Sequence, residues 1–115
     1  MRADPDRLRQ ILLNLIGNAA KYSPDGGQIT VTVRPKTETV EVEVRDEGIG
    51  ISRADRKHLF EKFFRADAGM RRGIGGTGLG LYITRSLITQ MAGRIWVESE
   101  EGIGSTFIFE LPKHD

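Results

Sequence analysis

Cysteine is absent from this 115-residue chain, which removes disulfides, thiolate metal centres and cysteine nucleophiles and leaves a reducing compartment permitted. Neither sign of charge dominates: seventeen Lys and Arg stand against sixteen Asp and Glu, interspersed, for a formal net charge of +1. With no basic stripe, electrostatically driven nucleic-acid binding is disfavoured. No apolar run approaches the roughly 20 residues of a membrane span and the N-terminus lacks the pattern of a signal peptide, so the piece reads as soluble. The length suits one domain with its own core and is too short for two.

What the chain has in abundance is glycine, concentrated in one place. Gly73 to Leu81 reads GIGGTGLGL, five glycines in nine residues, and runs into LYITRSLITQM, whose apolar residues recur at helical spacing. A glycine-rich turn opening a helix presents unscreened backbone N–H groups and the positive end of the helix dipole, a combination that suits phosphate. A flexible surface loop is the alternative on this stretch alone.

Before it, Asp4 as N-cap and Pro5 at the first helical position open an amphipathic helix with Leu8, Ile11, Leu12, Leu15, Ile16 and Ala19 on one stripe. Asn14, Asn18 and Lys21 fall within a wedge of roughly 60° on the shoulder of that stripe, where they could line a pocket edge together. Asparagine is a mediocre helix former, so two of them four apart run against local propensity, a conflict that marks either function or an ordinary solvated flank. SPDGG is turn chemistry. Ile29, Val31 and Val33, then Val40, Val42 and Val44, alternate with polar residues, predicting an antiparallel hairpin with one dry face.

The second strand ends at Asp46, where the chain reads DEGIGIS. Strand ends are where α/β proteins place ligand-contacting groups, although Asp and Gly also make plain turns. Ser52, with Asp55 three residues on, predicts a short helix whose Leu59, Phe60, Phe63 and Phe64 form an aromatic packing face. His58 beside it has no catalytic partner nearby. From Arg65 to Gly76 periodicity is lost over about a dozen residues, a length typical of functional lids or disordered segments; Arg65, Arg71 and Arg72 could meet phosphate oxygens from it or simply be solvated. A helix from near Thr77 to Ala92, stopped by Gly93, and two strands around EEGIG complete the chain. The order predicts an α+β fold, a two-layer sandwich of a mixed, largely antiparallel sheet with three helices on one face. The abrupt start at the first helix suggests that a preceding strand has been cut away.

Gly73, Gly75 and Gly78 satisfy GxGxxG, but no strand feeds them as a dinucleotide fold requires. No GK[ST] follows, as a P-loop requires, and the strand lysine and HRD loop of eukaryotic-type kinases are missing. Five segments taken in order do fit a family. NLIGNAAKYS, DEGIGIS, LFEKFFRAD, GGTGLGL and GSTF resemble the N box, first glycine box, F box, second glycine box and closing strand motif of sensor histidine kinase catalytic domains. These belong to the gyrase, heat-shock chaperone, histidine kinase and mismatch-repair ATPases, whose ATP-binding architecture is the Bergerat fold. The resemblance runs from Asp4 to Pro112.

The resemblance implies ATP and Mg²⁺ as cofactors, with Asn18 and Asn14 holding the metal against the phosphates. Lys21 and Arg65 would meet phosphate oxygens, Tyr22 would sit beside the nucleotide, and Asp46 would accept from the adenine amino group. Gly48, Gly50 and Ile51 would approach the base, with Thr106 supporting it near Asp46. Gly76, Thr77, Gly78, Leu79 and Gly80 would close the lid on the phosphates. Relatives that hydrolyse ATP or phosphorylate serine, such as the anti-sigma kinases, carry glutamate where Asn14 stands. Asparagine cannot take a proton and an imidazole nucleophile needs no such base, so Asn14 favours transfer to histidine. Met91 and Ala92 replace the His and Gly of many relatives, and Gly17 an Asp or Asn.

The family's partner is a helical-hairpin domain carrying the phosphoaccepting histidine, which this chain lacks; neither His58 nor His114 sits in its motif. The expectation is therefore a cytoplasmic catalytic half-kinase of a parent protein that can itself be membrane-anchored. It would not phosphorylate itself, would reach a response regulator only indirectly, and would contact neither nucleic acid nor membrane. A nucleotide-binding module without transfer activity and an anti-sigma-type serine kinase are the alternatives.

Overall fold

The computed structural model describes residues 5–23, 26–64 and 79–113. Helix α1 spans Pro5–Lys21, strand β1 Thr30–Pro35, strand β2 Thr39–Asp46, and a single turn of helix α2 Arg53–Arg56. Helix α3 spans Gly80–Gln90, strand β3 Arg94–Glu100 and strand β4 Gly104–Pro112. The strands pair antiparallel in the order β1-β2-β4-β3, so the last strand is inserted between β2 and β3. The mixture of helices with a largely antiparallel sheet is the architecture the sequence predicts; among the described residues every pairing is antiparallel.

The core lies between the sheet and the helices. Ile11, Leu15 and Ala19 of α1 and Ile88 of α3 are buried against Val42, Val44, Phe107, Phe109 and Leu111. Fully burying side chains of this size stabilises by about 1.5–3 kcal/mol each. The alternation of β2 and β4 makes this possible: Val44 pairs Phe107 and Val42 pairs Phe109, so both strands turn the same parity inward.

Three local features depart from the expected pattern. Val31 and Val33 occupy the core-facing parity of β1 but are 45% and 59% exposed, because β1 is the terminal strand while α1 packs over β2 and α3 over β3. The second helix is shorter than LFEKFF implies. Ser52 Oγ does accept from the Asp55 N–H at 3.1 Å, as a cap should, but helix ends at Arg56 and turns carry the chain on. Phe63 takes a positive φ of 68° and is 63% exposed, outside the aromatic face that Leu59, Phe60 and Phe64 form.

The third departure is at the end of α3, where the left-handed residue is Ala92 (φ 61°) instead of Gly93. The Gly93 N–H reaches Ile88 O and the Ala92 N–H reaches Thr89 O, the paired bonds of a Schellman stop. Gly93 is required for another reason: a Cβ there would lie 2.4 Å from Glu110 O. The Asp4 cap and the stretch from Arg65 to Gly76 lie outside the described residues.

The outer face of the sheet is polar and internally neutralised. Lys36 bridges Glu41 and Glu110 at 2.9 and 3.1 Å, Arg34 meets Glu43 and Glu41 at 2.7 and 3.3 Å, and Arg94 meets Glu110 at 3.1 Å while stacking on Trp96. Ile108 is buried beneath this layer, in register between Glu43 and Trp96.

Candidate functional site

Asp46 is the last residue of β2 and only 3% exposed. Its parity follows Val42 and Val44, so the pleat turns the carboxylate to the helix side. Oδ1 accepts from the Gly48 N–H at 2.9 Å and the Ser105 N–H at 3.3 Å. Oδ2 makes no hydrogen bond and the carboxylate meets no cation among the described residues. Burial pushes the carboxyl above its ordinary range, and the Gly48 and Ser105 N–H groups hold it back in part. A buried carboxylate oriented by backbone, with one oxygen unspent, is a hydrogen-bond acceptor built for an external donor.

The loop after Asp46 is clamped on both sides. The Ile49 N–H donates to Tyr22 O at 3.0 Å, tying the loop to the end of α1, and a Cβ on Gly48 would lie 1.9 Å from that same carbonyl. Gly50 adopts φ 72° with its Cα against Glu100 O. The Ile51 N–H donates to Ser99 Oγ at 2.8 Å, and Ser99 Oγ shares a bond with Ser105 Oγ at 2.7 Å. Gly48 and Gly50 thus serve first to let three backbones converge behind Asp46. Close packing of the loop is what makes the carboxylate's position rigid.

On α1, Asn14 and Asn18 are half-buried and Lys21 is exposed at the C-terminal turn. Asn14 Nδ2 donates to Thr84 Oγ1 at 3.2 Å, and Thr84 Oγ1 donates to Gly80 O at 2.8 Å. This chain ties Asn14 to the first turn of α3. That turn opens at Leu79 with no side-chain cap, and a Cβ on Gly80 would meet nothing within 4 Å among the described residues. With its nitrogen committed to Thr84, the Asn14 amide has its oxygen left to face a ligand. Asn18, one turn on, offers a second neutral oxygen. This donor set suits Mg²⁺, a hard cation that takes few protein atoms and arrives with phosphates.

Of the expected site residues, Asn14, Asn18 and Lys21 fall on α1 with Tyr22 just after it, Asp46 ends β2, Gly48, Gly50 and Ile51 lie on the loop that follows, and Leu79 and Gly80 stand at the start of α3. Arg65, Gly76, Thr77 and Gly78 lie outside the described residues. Thr106 does not meet Asp46. It pairs Arg45 and Glu98 on the outer face, and the residue against Asp46 is Ser105, one pleat away. Thr106 and Asp46 both border a cleft of about 500 Å³, together with Glu47, Glu98 and Glu100, whose carboxylates disfavour a phosphate.

Two contributors escaped the sequence reading, Ser105 and Thr84. The signal for Ser105 was strand parity, since Ser105, Phe107 and Phe109 share a face. For Thr84 it was a hydroxyl residue within the apolar stripe of the third helix. Ser23 Oγ is also buried, without a hydrogen-bond partner among the described residues, beside Gly48.

Residues 3–115 match the family described as histidine kinase-, DNA gyrase B-, and HSP90-like ATPases. The chain belongs to this family. Within it, the relatives are sensor histidine kinases, and the chain is of the catalytic ATP-binding domain type. It is 44% identical over 111 residues to the sensor histidine kinase WalK of Bacillus subtilis, covering 95% of this chain and 18% of WalK. Among solved structures, the mycobacterial sensor histidine kinase MprB superposes with a TM-score of 0.86 at 31% identity, covering 96% of this chain and 74% of that one. Full-length ShkA in complex with AMPPNP superposes with a TM-score of 0.78 at 37% identity, covering 92% of this chain and 21% of that one. This histidine kinase-type ATPase domain thus spans about a fifth of the curated relative it matches, and no helix among its described residues is long and apolar enough to cross a membrane.

Proposed function

We propose that this domain binds Mg·ATP and donates the γ-phosphoryl group to a histidine on a separate helical-hairpin domain in two-component signalling. The observation that carries the reading is Asp46: buried, fixed by two backbone N–H groups, with a second oxygen free to accept the exocyclic amine of adenine. Such a charge-assisted bond is worth about 1.5–3 kcal/mol, roughly ten- to a hundredfold in affinity. Kinship to histidine kinases, one of them crystallised with AMPPNP, supports the same assignment.

In this reading Asn14 and Asn18 present amide oxygens to Mg²⁺, which when bound neutralises phosphate charge. The N-terminus of α3 faces phosphate oxygens, Lys21 approaches them from the end of α1, and Arg65, Gly76, Thr77 and Gly78 close the lid over them. Asn14 carries no proton-accepting group. The residues therefore position and shield, and the acceptor nitrogen attacks without a base. The domain acts inside the cell, on the hairpin domain of its parent kinase, and reaches a response regulator through that histidine.

Incubating the chain with labelled ATP and a cognate hairpin domain tests the proposal. Acid-labile, base-stable label on the hairpin's histidine is the expected result. ATP binding with no transfer at saturation would leave a nucleotide-binding module, and acid-stable label would point to serine.

A further inference from the structure

Strand β3 is the terminal strand of the sheet on the side away from β1, so alternate residues turn backbone N–H and C=O groups away from β4 with no strand to receive them among the described residues. Both ends of this edge are occupied. The Ile51 N–H reaches Ser99 Oγ and the Gly102 N–H reaches Ile49 O at one end, while the α3 stop precedes Arg94 at the other. Between them Ile95, Trp96 and Val97 border a groove of about 470 Å³, walled on the far side by Phe60, Arg53, Arg56 and Lys57.

Charge distinguishes this groove from the outer face around Glu41 and Glu110. Arg34, Lys36 and Arg94 on the outer face each hold a carboxylate. Arg53, Arg56 and Lys57 hold none among the described residues, and the buried Arg56 Nε has no hydrogen-bond partner there. Three cations with no carboxylate among the described residues, over an apolar floor and beside a strand edge with no partner strand there, suit a ligand that supplies acids, apolar side chains and backbone at once. An extended peptide does so with a period of two: acids toward the rim, apolar residues toward Ile95, Val97 and Phe60, and main chain toward β3.

We propose that the groove between α2 and the edge of β3 is a docking site for an acidic, extended protein segment that adds to β3 as a further strand. A nucleic acid would satisfy the cations but leave the strand edge and the apolar floor unmatched. The site lies apart from Asp46, Asn14 and the start of α3, so occupancy is compatible with bound nucleotide.

A peptide of about ten residues alternating Glu and Val serves as the probe, with binding followed by amide chemical shifts of the ¹⁵N-labelled chain. Expected are shifts centred on Ile95, Trp96 and Val97, and binding at least about tenfold weaker in the Arg53→Glu/Lys57→Glu double variant, since both rim charges are reversed. That variant should bind a Lys-Val peptide instead, with its thermal melt and ATP affinity unchanged because both substituted residues are exposed and outside the nucleotide site. The proposal is overturned by any of four results: no binding at millimolar peptide, equal binding to the double variant, shifts centred elsewhere, or tighter binding of a short oligouridylate to the same amides.

Discussion

Asp46 and Glu110 are both sheet carboxylates, on paired strands, and their surroundings are opposite. Glu110 lies on the outer face between Lys36 and Arg94, and these cations hold its carboxyl below the ordinary glutamate range. Lys36 and Arg34 do the same for Glu41. Asp46 meets no cation among the described residues, and burial drives its carboxyl upward. The outer face has been made self-sufficient, whereas the Asp46 end keeps an ionisable group in a place that costs stability. A fold retains such a group when something outside the chain completes it.

The largest test of that contrast is Asp46→Asn. Nucleotide affinity should fall by about ten- to a hundredfold by calorimetry, while the melting temperature of the free domain stays level or rises, because a buried ionisation is removed. A variant that loses stability along with affinity would make Asp46 structural, like Glu110, and the comparison would collapse. Next in size is Thr84→Val, which unties Asn14 from the first turn of α3. Chemical denaturation should show a loss of about 1–2 kcal/mol for the two hydrogen bonds removed. Mg·ATP should bind several-fold more weakly, and unchanged binding would dissociate Asn14's tether from the site. Ala92→Gly, far from both regions, should gain about 0.5–1 kcal/mol in the same denaturation by relieving the left-handed alanine, and sets the scale against which the others are read.

The smallest effects belong to the outer face and to pH. Lys36→Ala should lower the melting temperature slightly at low salt and not at all in molar salt, as exposed ion pairs do. Acid should separate the two regions by sign. The folded state holds Glu41 and Glu110 below their unfolded values, so their contribution to stability is present above the ordinary glutamate range and is lost as pH falls through the lowered values. Asp46 titrates above its unfolded value, so folding takes up a proton there and its destabilising ionisation is relieved as pH falls through that higher range. Nucleotide affinity, which needs the ionised form, should therefore fail at a higher pH than the outer-face network does. Affinity measured across the acid range beside thermal melts checks this.

Much of this site could be read along the chain because its parts are local. Asn14 and Asn18 share a helical face at any tertiary arrangement, and Pro5 starts the helix whatever packs on it. DEGIG must turn, and the valines of β1 and β2 must alternate. What could not be read depended on partners far away in sequence. Thr106 and Ser105 are adjacent, and which one pairs Asp46 is set by the register of β4 on β2, 59 residues apart at this point, where a shift of one residue exchanges the faces. Thr84 is a polar interruption of a stripe until α1 brings Asn14 to it. Val31 and Val33 have the pattern of core, yet the helix layer does not extend over β1, so burial followed coverage and not alternation. The sequence by itself determined most of the elements, the turn chemistry and which polar residues share a local face, because each rests on dihedral preference and periodicity within a few residues. Only the tertiary structure decided which hydroxyl, which edge and which carboxylate were left unsatisfied, because satisfaction is a property of neighbours that the chain order does not contain.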